Sequence, residues 1–386
     1  MKKVALLIPL SRAFGRGITR GVLNYANNIG HWQIFSLLPD YTSSSKVSVA
    51  ELIKKWQPDG IVAHIPFLDI NAYRDFGIPM VAANIYSPIK NAANIVPDCD
   101  TPLKMAADYF VSKGFRHFAF CGFHMHWCMA RERSFRHYVH GYGYNVDVYQ
   151  TPKQNMRMSW ETEQPYLAEW LLHLPRPIAV LATNDDRARH VLEACQLAGL
   201  DVPGDVAVLG SDNDAMVCEM TSPPLSSIAY NFENSGYEAA EVLDCMMRTV
   251  NCSKHTVVTQ AQEIVTRQST DIMAIEDADV AKAVQFIQTH FKTNISVMDV
   301  VEATTLSRRS LESRFGHIVR HSIAEEIRRQ RIAHAVKLLV GTNLTVAQIA
   351  SAAGFHETKR LNEVFIKYHK ISPSSYRSQH ARLFLK

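Results

Sequence analysis

The 386-residue sequence has no apolar run approaching the roughly 18 residues of a membrane-spanning helix, so no part of it is expected to cross a bilayer. It also lacks a cysteine framework. Its seven cysteines are odd in number and scattered without metal-type pairing, which fits reduced thiols in a cytosol. The start, Met1-Lys2-Lys3-Val4-Ala5-Leu6-Leu7-Ile8-Pro9, holds an apolar run of only five residues before a proline, and reads as a buried first strand rather than an export signal. No Gly-rich phosphate cradle and no nucleophile elbow is present, which removes two common enzyme signatures. Asp212-Asn213-Asp214 lies in a strand-end turn where acidic residues are common, and His124-Met125-His126 with Cys128 lacks a fourth ligand, so neither makes a convincing metal site. Catalysis, a metal and a cofactor are therefore not expected. Low-complexity tracts are absent too, and 47% apolar with 20% charged residues describes a globular chain rather than a disordered one.

The length implies two or three folding units. The net charge of +4 becomes informative when divided along the chain. From Ala281 onward there are 17 Lys/Arg against 7 Asp/Glu, a balance of +10, which leaves residues 1–280 at −6. Such asymmetry suits a basic nucleic-acid module joined to an acidic domain that binds something small, although a solvated basic surface gives the same count.

Up to about Gly210, short apolar runs predict strands at Val4–Ile8, Ile34–Leu37, Gly60–Ala63, Met80–Ala83, Phe118–Cys121, Ile178–Ala182 and Val206–Leu209. Between them, amphipathic stretches predict helices near Arg16–Asn28, Val47–Trp56, Leu103–Ser112, Glu132–His140, Glu161–His173, Ala188–Ala198 and Ser235–Met247. This alternation is the rhythm of a doubly wound α/β sheet. Pro102 is placed to open one helix and Gly114 to close it with positive φ. The expected organisation is an effector-binding and dimerisation domain at 1–270, a linker at 271–280, and a helical domain at 281–386.

The helical domain contains one pattern twice. In Ile295–Phe315, Val297, Val300, Val301 and Ala303 give an apolar face, Thr304-Thr305-Leu306 a turn and Ser307 an N-cap, while Leu311 and Phe315 bury the inner face of a second helix. Arg308, Arg309, Glu312 and Ser313 are left outside. In Thr345–Phe365, Val346, Ile349, Ala350 and Ala353 form the first face and Gly354 the turn, with Leu361 and Phe365 as anchors; Thr358, Lys359, Arg360, Asn362 and Glu363 are left outside. A spacer helix from Ser322 to Leu339 is about 27 Å long, against roughly 34 Å between successive major-groove faces of double-stranded DNA. One chain can therefore present two reading helices to adjacent grooves, where such side chains donate to phosphates and purine edges and glutamate accepts from cytosine. The motifs Arg331–Leu339 (RIAHAVKLL), Ile349–Phe355 (IASAAGF) and Phe365–Arg377 (FIKYHKISPSSYR) resemble the DNA-binding domain of AraC-type regulators. The resemblance implies base reading by Arg309, Glu312, Ser313, Lys359, Arg360 and Glu363. Two positions depart from it. Thr305 stands where that family usually has glycine, implying an altered turn, and Lys370 replaces the glycine before Ser-Pro, implying a longer or tighter loop.

Residues 1–270 resemble the periplasmic-binding-protein-like effector domain of LacI-type repressors in the pieces Asp59–Pro66, Ala182–Ala188, Val202–Asp214, Ser222–Phe232 and Arg267–Thr270. Such a domain has two lobes around a cleft at the carboxyl ends of the strands. Candidates for the cleft are Phe14 and Arg16 after the first strand, Arg131 at a helix start, Asn184 and Asp185 after Ala182, Asp212 after Leu209, and Tyr230 on the return crossing. Carboxylate, amide and guanidinium groups make paired hydrogen bonds to neighbouring hydroxyls, and aromatic faces cover the apolar side of a sugar ring, which favours a monosaccharide effector. For Asp212 and Arg131 the alternative is an interlobe salt bridge or a turn cap, for Asn184 a helix N-cap, and for Phe14 and Tyr230 plain packing. Joined in this order, the two resemblances imply a cytoplasmic, homodimeric activator of sugar-utilisation genes, working with RNA polymerase and responding foremost to D-xylose. Tyr230, where glutamine is common, bears on which sugar is sensed.

Overall fold

The computed structural model describes residues 1–36, 49–64, 77–83, 89, 92–150, 159–248, 252, 256–272, 275, 277–319 and 321–380. They divide into two compact units, Met1–Ile272 and Met273–Lys386.

The first unit is built on two six-stranded sheets. Its chain runs β1 (Lys3–Leu7), α1 (Ala13–Tyr25), a π-helical turn (Ala26–Gly30), β2 (Gln33–Ser36), α2 (Val49–Trp56), β3 (Gly60–His64), β4 (Met80–Ala83) and β5 (Ala93–Pro97). It then crosses to a second lobe with α3 (Thr101–Ser112), β6 (His117–Cys121), α4 (His126–Gly141), β7 (Val146–Val148), α5 (Trp160–Leu172), β8 (Ile178–Ala182), α6 (Asp185–Ala198), β9 (Val206–Ser211), α7 (Ala215–Met220) and β10 (Ser226–Tyr230). The chain returns with α8 (Phe232–Arg248) and β11 (Thr256–Thr259) and crosses a third time into β12 (Ala261–Val265). The first sheet has the order β11-β5-β4-β3-β1-β2 and the second β12-β10-β9-β8-β6-β7; all described pairings are parallel except β10 with β12. Central strands such as Ile178–Ala182 and Val206–Ser211 are buried along their whole length, because helices cover both faces of a parallel sheet and leave no face for polar alternation. In the first lobe α1 lies directly on α8: a Cβ at Gly21 would stand 1.9 Å from the Glu233 carbonyl oxygen, so only glycine allows this approach.

Every strand expected from the sequence is present, whereas β5, β7, β10, β11 and β12 were not foreseen. Parts of the expected Ile34–Leu37 strand and Val47–Trp56 helix fall outside the described residues. The helix expected from Glu132 begins at His126, so Arg131 lies in its second turn rather than at its start. Gly114 takes φ 87° behind α3 as expected, and Pro102 sits in that helix's first turn.

The second unit comprises α9 (Ala278–His290), α10 (Val297–Glu302), α11 (Arg308–Val319), α12 (Ile323–Gly341), α13 (Val346–Ala352), α14 (Thr358–His369) and α15 (Pro373–His380). Helix α9 thus starts inside the segment expected as a linker, capped by Asp277, which accepts from the N–H groups of Asp279 and Val280. Both short helices α10 and α13 open with a capping box, Ser296 with Asp299 and Thr345 with Gln348, satisfying two orphan N–H groups reciprocally. The anchors Leu311, Phe315, Leu361 and Phe365 are fully buried, each contributing about 1.5–3 kcal/mol through removal from water. Two cores result. One joins α9, α10 and α11 to Ile323 and Ile327 of α12, and the other joins α13 and α14 to Ile332, Ala335 and Leu339 of the same helix.

Candidate functional site

Between the lobes of the first unit lies a cavity of about 240 Å³, lined from the second lobe by Arg131, Asn184 and Asp212 and from the first by Arg12, Phe14 and His64. Strand β9 ends in a turn that no glycine relieves: Asp212 has φ 107° and Asn213 φ 48°. Left-handed backbone at such residues costs about 1–3 kcal/mol and persists only where surroundings over-determine it. Here the Asp212 N–H donates to the Ile228 carbonyl at 3.0 Å, the Asn213 N–H to Ser227 Oγ at 3.0 Å, and Arg267 Nη2 to Asn213 Oδ1 at 2.9 Å. Asp185 completes the brace, accepting from the Asp214 N–H at 2.7 Å and from the Ser227 hydroxyl at 2.5 Å. Asp185 therefore stands behind the cavity wall and does not line it, contrary to expectation. Its helix-start position turns the carboxylate inward, and burial, with Asp212 nearby, holds its pKa well above the usual carboxylate range. Asp212 does line the cavity. Crowding by protein raises its pKa to about 6, against the pull of Arg131, and the neighbouring Asp186 and Asp214 push the same way as burial.

Arg131 projects from α4 into the same wall and is 7% exposed. It donates to the Thr183 carbonyl and at 3.4 Å to Ser211 Oγ, and it stacks 5.3 Å from the Trp127 ring and 6.0 Å from the Tyr230 ring. Tyr230 shares a 3.0 Å hydrogen bond with Ser211 Oγ. Among the described residues no carboxylate ion-pairs with Arg131. Asn184 Oδ1 caps α6 by accepting from the Arg187 N–H at 2.9 Å, and the residue also lines the cavity. Facing this wall, Phe14 packs edge-on against Phe232 at 5.3 Å, and Phe232 stacks on Tyr230 at 5.3 Å with 14° between the rings.

Arg16 does not line the cavity. It reaches across the mouth to Asp214 at 2.8 Å, and Arg12 likewise reaches Asp186 at 2.7 Å, so the interlobe salt bridge considered for Arg131 and Asp212 is made by these two arginines. On a helix, Arg16 stands about 200° round from Phe14, which sends the two side chains to different faces. Lining residues that the sequence did not single out include Arg12, His64, Trp127 and Phe232. His64 closes β3 and was findable by the strand-end rule; Trp127 lies four residues before Arg131 and was hidden by the late helix start. Burial lowers the His64 pKa to about 4.

In the second unit, Arg308, Arg309, Glu312 and Ser313 are exposed in the first two turns of α11, and Lys359, Arg360 and Glu363 are exposed on α14, with Thr358 half-buried. The ion pairs Arg308–Glu312 and Arg360–Glu363, both 3.0 Å, are surface pairs of the kind worth 0–1 kcal/mol and readily exchanged for an outside partner. The two departures from the AraC pattern have distinct structural answers. Thr305 donates from its N–H to Asp279 Oδ1 at 2.9 Å, and its hydroxyl lies at the same distance from that oxygen, so the first turn is tied by a side chain and needs no left-handed residue. Lys370 takes φ 62° and ends α14 directly, its N–H donating to the Ile366 carbonyl at 2.8 Å.

A periplasmic binding protein-like domain model matches residues 107–270, and a helix-turn-helix domain model matches residues 300–379. The chain is 28% identical over 399 aligned residues to the xylose operon regulatory protein of Escherichia coli strain K12, covering 99% of this chain and 98% of that protein. The chain is a DNA-binding transcription regulator. The regulator is also 26% identical to the xylose operon regulatory protein of Haemophilus influenzae, with 97% of this chain and 98% of that protein covered. A solved structure of a xylose-binding transcription activator aligns with it at a TM-score of 0.78 and 26% identity over 98% of both chains. Those relatives are regulators and not enzymes. The Asp214 carboxylate of the rejected metal motif is occupied by Arg16 and the Ala13 N–H. Among the described residues no helix is long and apolar enough to cross a membrane.

Proposed function

We propose that the regulator senses D-xylose in the interlobe cavity and, as a cytoplasmic homodimer, activates sugar-utilisation genes by presenting α11 and α14 to adjacent major grooves near RNA polymerase. The observation that carries the reading is the convergence of Arg131, Asn184 and Asp212 in one cavity that aromatic rings also line. A carboxylate, an amide and a guanidinium offer paired hydrogen bonds to vicinal hydroxyls, while Phe14, Trp127 and Tyr230 cover ring C–H groups. A volume of about 240 Å³ lies below the ~300–1,000 Å³ of pockets for drug-sized ligands, which favours one small ring over an oligosaccharide. Relatives named for the xylose operon along the whole chain support the pentose.

Sugar can act only through a difference in affinity between two arrangements of the protein. The ion pairs Arg12–Asp186 and Arg16–Asp214 span the cavity mouth, so an arrangement with the lobes together is the one a bridging sugar favours. Closure then alters the pairing of effector domains and thereby the spacing at which two sets of reading helices meet DNA. Arg308, Arg309, Glu312, Ser313, Thr358, Lys359, Arg360 and Glu363 are the proposed DNA contacts.

The test is calorimetric titration with D-xylose and a small panel of aldoses. D-xylose is expected to bind most tightly, and Asp212→Ala to weaken it about 10–100-fold, the worth of hydrogen bonds to a charged group. Retention of a promoter fragment without sugar should be unchanged in that variant. An unmoved sugar affinity removes Asp212 from the site.

A further inference from the structure

Among the described residues the two apolar cores of the second unit both take side chains from α12, so the angle between the reading helices depends on what stops that helix from twisting or bending between Ile327 and Ile332. A polar joint sits there. Arg331 donates through Nε to the Phe291 carbonyl at 2.8 Å and through Nη2 to the Thr293 carbonyl at 2.9 Å, gripping the segment between α9 and α10. The turn of the second helix-turn-helix presses on that same segment. Gly354 has φ 80°, and a Cβ on it would stand 2.4 Å from the Phe291 carbonyl oxygen and 3.0 Å from Arg331 Nε. Asn294 Oδ1 and His356 Nε2 are 2.6 Å apart, and the Phe291 ring meets His334 edge-on at 5.5 Å. Residues 291–294, between α9 and α10, are thus pegged between the spacer helix and the second turn.

Arg331 is half-buried, and its only described partners are neutral carbonyls. Apolar packing calls for leucine or methionine at such a place. A planar fork serves one purpose better than either, which is to fix two carbonyls in direction as well as distance. We propose that Arg331 is a positioning residue that sets the angle between α11 and α14, and so determines which separation of half-sites the regulator accepts. This rests on the reading-helix assignment above.

The probe is the duplex that one wild-type protomer protects from cleavage in its promoter, together with the same duplex carrying one or two base pairs inserted between the two contacted grooves. Each insertion turns the second groove by about 34°. Full-length wild type is expected to lose about 10–100-fold in affinity per insertion, comparable to mismatched positions. Arg331→Met, which keeps the stem and loses the fork, is expected to discriminate among the three duplexes by less than about 3-fold. Arg331→Lys should behave like Met; full recovery there marks a plain charge contact with DNA and overturns the proposal. Discrimination retained in Arg331→Met overturns it as well, whatever the change in affinity. Should Arg331→Met fail to fold by circular dichroism, the exposed pair is removed instead as Asn294→Ala with His356→Ala, where undiminished discrimination sinks the idea. Absence of any wild-type footprint defeats the reading-helix assignment, whereas a footprint indifferent to spacing defeats this inference alone.

Discussion

The interlobe cavity and the reading helices use the same side chains in opposite settings. Arg131 is buried, stacked between two rings and directed by a carbonyl, and Asp212 is fixed by a strained turn with four polar groups around it. Arg308 and Arg360 stand in solvent, each with one carboxylate about a turn away. A small neutral ligand is recognised by directed hydrogen bonds in place of water, so its partners must be held before it arrives. A polyanion is recognised largely by charge and counterion release, so its partners gain from staying free to reach. The two regions should therefore answer to different variables, the cavity to proton concentration and the tail to salt.

Salt should give the largest effect. Between 50 and 200 mM, affinity for a promoter duplex is expected to fall about a thousand-fold or more if six or more phosphates are contacted. Sugar affinity over the same range should change less than about 2-fold, because the cavity pairs lie inside the screening distance. Fluorescence anisotropy for DNA and calorimetry for sugar read the two in one buffer series. Equal salt slopes would break the contrast.

Acidification should act on sugar binding through the cavity. With the Asp212 pKa at about 6, the carboxylate that accepts sugar hydroxyls is mostly present at pH 7 and mostly protonated at pH 5. Sugar affinity is then expected to fall about tenfold between those values, and Asp212→Asn to bind weakly with no such slope. The sign for folding is the reverse. Burial raises this pKa, so the folded sugar-free protein holds more protons than the unfolded chain between about pH 4 and 6, and its stability declines as pH rises through that window. His64, with its pKa lowered to about 4, stays neutral throughout and does not obscure the titration. An affinity that is flat from pH 7 to 5 removes the ionised carboxylate from recognition.

The contrast also governs what was legible in the sequence. On α11 and α14 the anchors Leu311, Phe315, Leu361 and Phe365 fix by period alone which residues face outward, because one helix face decides the other. The cavity is assembled from the ends of separate strands, and adjacency in sequence is a poor guide there. Asn184 lines it and Asp185 turns away, and Phe14 lines it while Arg16 does not. Strands β5 and β11 pair with each other beside the lobe crossings, and β12, with no fully buried position, pairs with β10, so their existence depends on contacts distant in sequence. Fold class followed from the rhythm of apolar runs; the brace around Asp212 followed from no local pattern.

Backbone strain sharpens the comparison at the smallest scale. Both regions hold non-glycine residues in left-handed backbone, Asp212 and Asn213 in the cavity and Lys370 at the end of α14. At Asp212 the strain aims a side chain at the proposed ligand, so glycine there would relax the turn and discard the contact. At Lys370 the side chain is exposed and, among the described residues, its ammonium donates only to the Lys367 carbonyl, at 3.1 Å. Lys370→Gly should therefore stabilise the second unit by about 1 kcal/mol, the left-handed penalty of an L side chain, less the flexibility glycine adds to the unfolded chain. Hydrogen exchange at the last amides of α14 reads this directly as about 5-fold stronger protection, given that 1.4 kcal/mol is tenfold. DNA affinity should fall by no more than one lost charge allows. If protection is unchanged or weaker, the Lys370 conformation carries no strain, and left-handed backbone is then a functional signal in the cavity alone.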